Sequence, residues 1–168
     1  MNTNFEQHTL AILVDNEPGV LARVIGLFSG RGYNIESLTV AETDPEYQLS
    51  RITIVTSGNK EVIEQIKAQL DRLIPVHKVR DLTVEGRVIE REVILVKVSN
   101  IGEKRIEAMR IAEIFHARVL DATLDSFIFS LTCTVEKGND FINLMKQLGM
   151  IELSRTGVVA MARGSEKF

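Results

Sequence analysis

Asp15-Asn16-Glu17-Pro18-Gly19-Val20-Leu21, continuing to Gly30-Arg31-Gly32-Tyr33-Asn34-Ile35, encloses one amphipathic helix between two sets of breakers. Val20, Leu21, Val24, Ile25 and Phe28 recur at helical spacing, so one stripe must face a core. Pro18 suits a first helical position, where a missing N–H costs nothing, and Gly30 and Gly32 stop the helix. The alternating run His8 to Val14 before it reads as a strand, and Asn34 to Ala41 after it reads as another. The unit is therefore strand, tight turn, helix, turn, strand.

The first turn has chemistry of its own. Free N–H groups at a helix start carry partial positive charge and attract an anion. Gly19 has no Cβ to keep a ligand off the backbone, and Asn16 adds a carboxamide that both donates and accepts. Val20 and Leu21 set apolar surface beside these polar groups. A small molecule with a carboxylate at one end and a hydrocarbon at the other, such as an amino acid, fits that combination. The same residues also make an ordinary capped helix in which Asn16 and Gly19 serve only the turn.

The second half of the first unit follows the same logic. Asp44-Pro45-Glu46 is a turn, Leu49 to Thr56 a third strand, Ser57-Gly58-Asn59 a turn, and Lys60 to Leu73 a second amphipathic helix closed by Pro75. Val76 to Leu82 completes βαββαβ. A charged boundary around Gly86 is short and not Gly/Ser-rich, so the halves are held close rather than floppily tethered. The pattern then repeats. Val93 to Ser99 is a strand and Asn100-Ile101-Gly102 a turn. Lys104 to Ala117 is a helix with Ile106, Met109, Ala112 and Phe115 on its stripe. Val119 to Thr123 and Phe127 to Val135 form a strand pair, Lys137-Gly138-Asn139 introduces a helix, and Ile151 to Ala162 is a final strand. The fold class is α+β: two ferredoxin-like βαββαβ units in tandem, residues 1–85 and 86–168, each with two helices on one face of an antiparallel sheet. The other sheet face needs cover, for which a partner sheet or subunit is the natural source, so oligomerisation is expected.

Composition excludes several classes of function. With 168 residues, 45% apolar content and a formal charge of -3, the chain can pack a core and has no phosphate-seeking run of basic residues. No apolar stretch approaches the roughly 20 residues needed to span a bilayer, and residues 1–6 lack a signal peptide's basic start. A soluble, cytoplasmic protein with no nucleic-acid or membrane partner is expected. No zinc-protease helix, phosphate-cradling loop, nucleotide-binding glycine triplet or nucleophile elbow is present, and His8, His77 and His116 lack metal-ligand spacing. Catalytic residues and metal ligands are therefore assigned to none. The single cysteine, Cys133, lies in an alternating strand and reads as a small buried hydrophobe. Phe127 and Phe129 share one side of a strand without the basic and glycine residues of an RNA-binding sheet, and read as packing.

The run Asn16 to Val24, then Gly26-Leu27-Phe28, then Arg31-Gly32-Tyr33-Asn34-Ile35-Glu36-Ser37-Leu38-Thr39-Val40, closely resembles the ACT domain of the small, regulatory subunits of acetohydroxyacid synthase (acetolactate synthase). The resemblance continues at Leu49 to Ile54, Glu92 to Val98 and Ser154 to Val159, and covers nearly the whole chain. It makes the first unit an ACT domain for effector binding and dimerisation, and the second a domain that helps activate a catalytic subunit. It implies a non-catalytic chain with no cofactor of its own; thiamine diphosphate, a divalent metal (Mg) and FAD belong to the catalytic partner. It further implies activation of that partner and feedback inhibition by a branched-chain amino acid, usually valine, in valine, leucine and isoleucine biosynthesis. Homodimers through side-by-side ACT domains would carry effector sites at the pair interface. On this chain the effector-binding residues would be Asn16, Gly19, Val20 and Leu21 of one protomer with Asn34 and Ile35 of its neighbour. A free-standing amino-acid-sensing transcriptional regulator is the alternative, opposed by the missing helix-turn-helix and weak basicity.

Overall fold

The structure, a computed structural model, describes residues 6–99, 102–165 and Phe168. It divides into two compact units, one comprising the chain up to Glu90 together with Val158–Phe168, the other Arg91–Gly157.

The first unit runs β1 (Glu6–Asp15), α1 (Val20–Arg31), β2 (Ser37–Asp44), β3 (Leu49–Gly58), α2 (Lys60–Leu70) and β4 (Val76–Asp81), the βαββαβ order read from the sequence. Its sheet is antiparallel in the order β2-β3-β1-β4. Leu10, Ile12 and Val14 of β1 join Ile52 and Ile54 of β3 under Val20, Val24, Leu27 and Phe28 of α1 and Ile63, Ile66 and Leu70 of α2. Period-2 and period-3.6 patterns thus meet in one core. Asn59 caps α2 by accepting the Val62 N–H at 2.9 Å.

Three local boundaries differ from the sequence reading. Helix α1 opens at Val20, not Pro18, because Gly19 takes a left-handed φ of +86° that breaks the helical path. Gly30 does not stop α1; Gly32 does, at φ +70°, with the Gly32 and Tyr33 N–H groups donating to the Ser29 and Phe28 carbonyls. Asn34 and Ile35 lie before β2 rather than in it. The Asn34 carbonyl accepts from the Thr56 hydroxyl (2.6 Å), and Glu36 N–H donates to the Val55 carbonyl just ahead of the strand.

The remaining elements are β5 (Val88–Ser99), α3 (Glu103–Phe115), β6 (Arg118–Ala122), β7 (Ser126–Cys133), α4 (Val135–Gln147), β8 (Met150–Arg155) and β9 (Val159–Ala162). The second sheet has five strands: β6-β7-β5-β8 in order, with β9 also paired to β5. Phe127, Phe129, Leu131 and Cys133 of β7 and Ile94, Val96 and Val98 of β5 pack beneath the helices, so both phenylalanines are core. The expected turn at Asn100-Ile101 lies outside the described residues. Helix α3 is rolled from its expected stripe: Ala108, Ile111 and Ala112 are buried, whereas Ile106 and Met109 are exposed. Small alanines let α3 sit close to the sheet, and apolar residues on both its sides leave the stripe ambiguous. Helix α4 starts at Val135, before Lys137, because the Thr134 side chain accepts the Lys137 N–H and ends the strand pattern at Cys133.

The expected final strand over residues 151–162 is two strands, parted at Gly157, whose φ is +84°. Val158–Phe168 groups with the first unit, and the backbone of Val158 and Ala160 lies on the sheet face that has no helices. Ser37 Oγ accepts the Val158 N–H (2.9 Å), Thr39 Oγ1 donates to the Val158 carbonyl (3.1 Å), and Arg51 Nη2 donates to the Ala160 carbonyl (2.7 Å). Thr9, Ala11, Thr53 and Val55, on that face by alternation, are all buried. A partner was expected there, yet the chain's own tail supplies cover. Thr39→Val, which keeps shape and removes one hydroxyl, is expected to lower stability by about 1 kcal/mol in urea denaturation. An unchanged midpoint would mean that this bond holds nothing.

Candidate functional site

At the start of α1 no side chain caps the helix and its first turn carries no carboxylate. The Val20 N–H turns to the Glu17 carbonyl (3.3 Å), and the N–H groups behind it keep their positive partial charge. Asn16 is exposed beside this tip and held on two sides: its N–H donates to the Gln48 carbonyl (2.7 Å) and its Nδ2 to Glu42 Oε1 (3.0 Å). With Nδ2 committed to Glu42, the Asn16 carboxamide oxygen is the atom left to accept. A Cβ built on Gly19 meets nothing within 4 Å, so the backbone there is open to approach. Val20 is buried and Leu21 half-buried, giving the polar tip an apolar neighbour. Positive helix tip and negative Glu42 carboxylate together match the two ends of a zwitterion. Glu42 was missed by sequence reasoning, since it arrives from β2 and no local pattern announces it.

Asn34 and Ile35 are not beside Asn16 in one chain. They sit past the other end of α1, a 12-residue helix that spans about 18 Å. The β3 register gives the same separation: Asp15 is opposite Leu49, whereas Ser37 is opposite Val55, about 20 Å along the strand. Asn34 is exposed, and Ile35 packs partly against the core. Asn16, Gly19, Val20 and Leu21 form one cluster, and Asn34 with Ile35 a second.

Among the described residues, no group of three or more His, Cys, Asp or Glu could hold a metal ion, and no helix is long and apolar enough to cross a membrane. Cys133 is buried, and burial first, then the nearby Glu92 charge, pushes its thiol up from the usual cysteine range. A raised pKa leaves less thiolate at neutral pH. Alkylation of native protein by iodoacetamide near neutral pH is therefore expected to be about 100-fold slower than in urea. Equal rates in both would contradict this burial.

Comparison with known proteins gives this arrangement a family. Residues 10–78 match the family model of the AHAS small subunit-like ACT domain, and residues 91–164 that of the small subunit of acetolactate synthase. The chain is 50% identical over 161 residues to the probable acetolactate synthase small subunit of Archaeoglobus fulgidus, covering 96% of this chain and 99% of that one. It is 44% identical over 158 residues to the acetolactate synthase isozyme 3 small subunit of Escherichia coli, covering 94% and 96%. The crystal structure of the Thermotoga maritima acetolactate synthase small subunit superposes with a TM-score of 0.87 at 37% identity, over 96% of this chain and 99% of that one. The two family models between them span most of the chain and the relatives match it nearly end to end, so the chain belongs to the family of acetolactate synthase small subunits rather than to the catalytic chains of that enzyme.

Proposed function

We propose that this chain is the regulatory subunit of acetolactate synthase: it binds the catalytic subunit, raises its activity and makes it sensitive to a branched-chain amino acid, valine first. Thiamine diphosphate, metal and FAD stay with the catalytic chain. The observation that carries the reading is the uncapped start of α1 with Asn16 and Glu42 beside it. An α-carboxylate sits on the helix N–H groups, the ammonium on the Asn16 oxygen and Glu42, and the branched side chain against Val20 and Leu21.

The division of the candidate residues between two clusters supports a shared site. Strand β2 is an edge of its sheet, with β3 as its only neighbour there among the described residues. Such an edge is a template for another strand. A second copy pairing along β2 about a two-fold axis runs antiparallel. That operation brings the start of one β2, with Asn34 and Ile35, to the end of the other, where Glu42 reaches Asn16. Each ligand then bridges two protomers, and a differential affinity of about 1–3 kcal/mol between two pair geometries is enough for allosteric control.

The test is calorimetric titration of the chain with valine, leucine, isoleucine and serine, followed by mixing with the catalytic subunit. Binding of one branched-chain amino acid per site, faster acetolactate formation on mixing, and suppression by that amino acid are expected. Valine binding with no effect on the catalytic subunit would instead indicate a free-standing sensor.

A further inference from the structure

The outer surface of the first unit holds a hollow of about 500 Å³ between α1 and α2, and Arg23, Arg31 and Arg72 all line it. The three guanidinium groups are exposed and pair with no carboxylate among the described residues. This concentration of positive charge belongs to a chain whose net charge is -3. Its members are scattered in sequence and converge only because α1 and α2 lie side by side. Two features beside them are unexplained by the fold. Gln69 Oε1 is buried with no hydrogen-bond partner among the described residues, a state that costs free energy until a donor arrives. Gly26 lies inside α1, where glycine weakens a helix, yet a Cβ there meets nothing within 4 Å. Among the described residues no packing requires glycine at that position.

A smaller hollow of about 230 Å³ on the same unit, lined by Arg51, Arg80 and Phe168, differs in its electrostatics. There Arg51 is bound to the Ala160 carbonyl and stacks 4.4 Å under the Phe168 ring, and Arg80 is paired with Glu85. Its charges are already answered. Those of the α1/α2 hollow are not.

We propose that the α1/α2 groove docks an acidic segment of the catalytic subunit, an inference that rests on the regulatory reading above. Carboxylates of that segment pair with Arg23, Arg31 and Arg72, and the Gln69 side chain, which lines the groove, turns its buried Oε1 outward to accept one of the segment's backbone N–H groups. The missing Cβ at Gly26 lets the segment lie close to α1. A small polyphosphate also suits three arginines, but it carries no donor for Gln69. Apolar surface favours a protein as well: Leu27 and Leu73 line the groove, and Ile74, just beyond, is 95% exposed. Arginines around uncovered aliphatic side chains are the composition of a protein interface.

The experiment measures affinity of the full chain for the catalytic subunit by sedimentation, at low and high salt, with valine binding to the chain alone as a parallel readout. Arg31→Glu with Arg72→Glu is expected to weaken the complex at least about tenfold and flatten its salt dependence, leaving valine affinity unchanged. Gln69→Leu is expected to raise the melting temperature of the free chain while loosening the complex several-fold, a split that a merely structural glutamine does not produce. Gly26→Leu, at an open helical position, should also weaken docking. Wild-type affinity in the double charge reversal overturns the proposal while leaving the regulatory reading intact. No complex with wild-type chain overturns both. Inorganic triphosphate binding to the wild type and not to the double variant, with docking unchanged, reassigns the groove to small anions and overturns the acidic-segment proposal.

Discussion

Asn34→Ala should raise the valine concentration needed for half-inhibition by roughly 10- to 100-fold and leave activation of the catalytic subunit close to wild type. In the proposed site the magnitude follows from losing a hydrogen bond to a charged group of the effector, worth about 1.5–3 kcal/mol. The structure makes this substitution clean. Asn34 contributes to its own fold through its carbonyl, which Thr56 uses, and its exposed side chain makes no hydrogen bond among the described residues. Removing the carboxamide therefore leaves the chain's own hydrogen bonds in place and, in the proposed site, alters only the contact with the effector. Gly19→Asp, which sets a carboxylate against the effector's own, should also abolish inhibition but is a blunter instrument. At φ +86° any L side chain is strained by about 1–2 kcal/mol, so lost inhibition there mixes repulsion with a distorted helix start. Steady-state inhibition of the reconstituted enzyme, with valine calorimetry on the variant alone, separates the two. Undiminished valine sensitivity in Asn34→Ala would remove Asn34 from the site and with it the shared geometry.

What was legible in the sequence was whatever local pattern encodes. The βαββαβ order appeared twice because buried strands alternate and buried helices repeat every three to four residues. The tip at Asn16 and Gly19 was legible for the same reason, since a turn and a helix start are contiguous. Features set by distant partners were hidden. Glu42 reaches Asn16 across the sheet from β2, and the groove arginines come from α1 (Arg23, Arg31) and from the turn after α2 (Arg72). Ile106 and Met109 were read as core because α3 carries apolar residues on both sides, and only the close fit of Ala108 and Ala112 to the sheet decides which side is buried. At Thr134 strand and helix readings overlapped; the hydroxyl on the Lys137 N–H resolves them. At Val158–Ala162 the alternation was real, but the positive φ of Gly157 redirects the strand to the first unit.

Gly138→Val is expected to destabilise the second unit by about 3 kcal/mol, the upper part of the range for overpacking a core. Gly138 lies inside α4, where intrinsic propensity alone would favour alanine by about 1 kcal/mol. Contact explains why glycine stands there. A Cβ would fall 2.4 Å from Ile94 Cδ1, 2.9 Å from Glu92 Oε1 and 3.2 Å from Cys133 Sγ. None of these neighbours gives way easily: Ile94 is fully buried, Cys133 is core, and the buried Glu92 carboxylate is held by Arg155. The helix must then lift from the sheet or the Glu92–Arg155 pair must part, and a buried carboxylate stripped of its cation is costly. Ile94→Val deletes the atom in closest conflict. Alone it should cost about 1 kcal/mol, yet in the Gly138→Val background it should restore stability, a reversal of sign that a double-mutant cycle in urea reads directly. Additive losses would mean that α4 can shift freely. Valine binding, which uses only the first unit in the proposed site, should survive in Gly138→Val while activation of the catalytic subunit falls. Loss of both together would show that the two units do not keep their tasks apart.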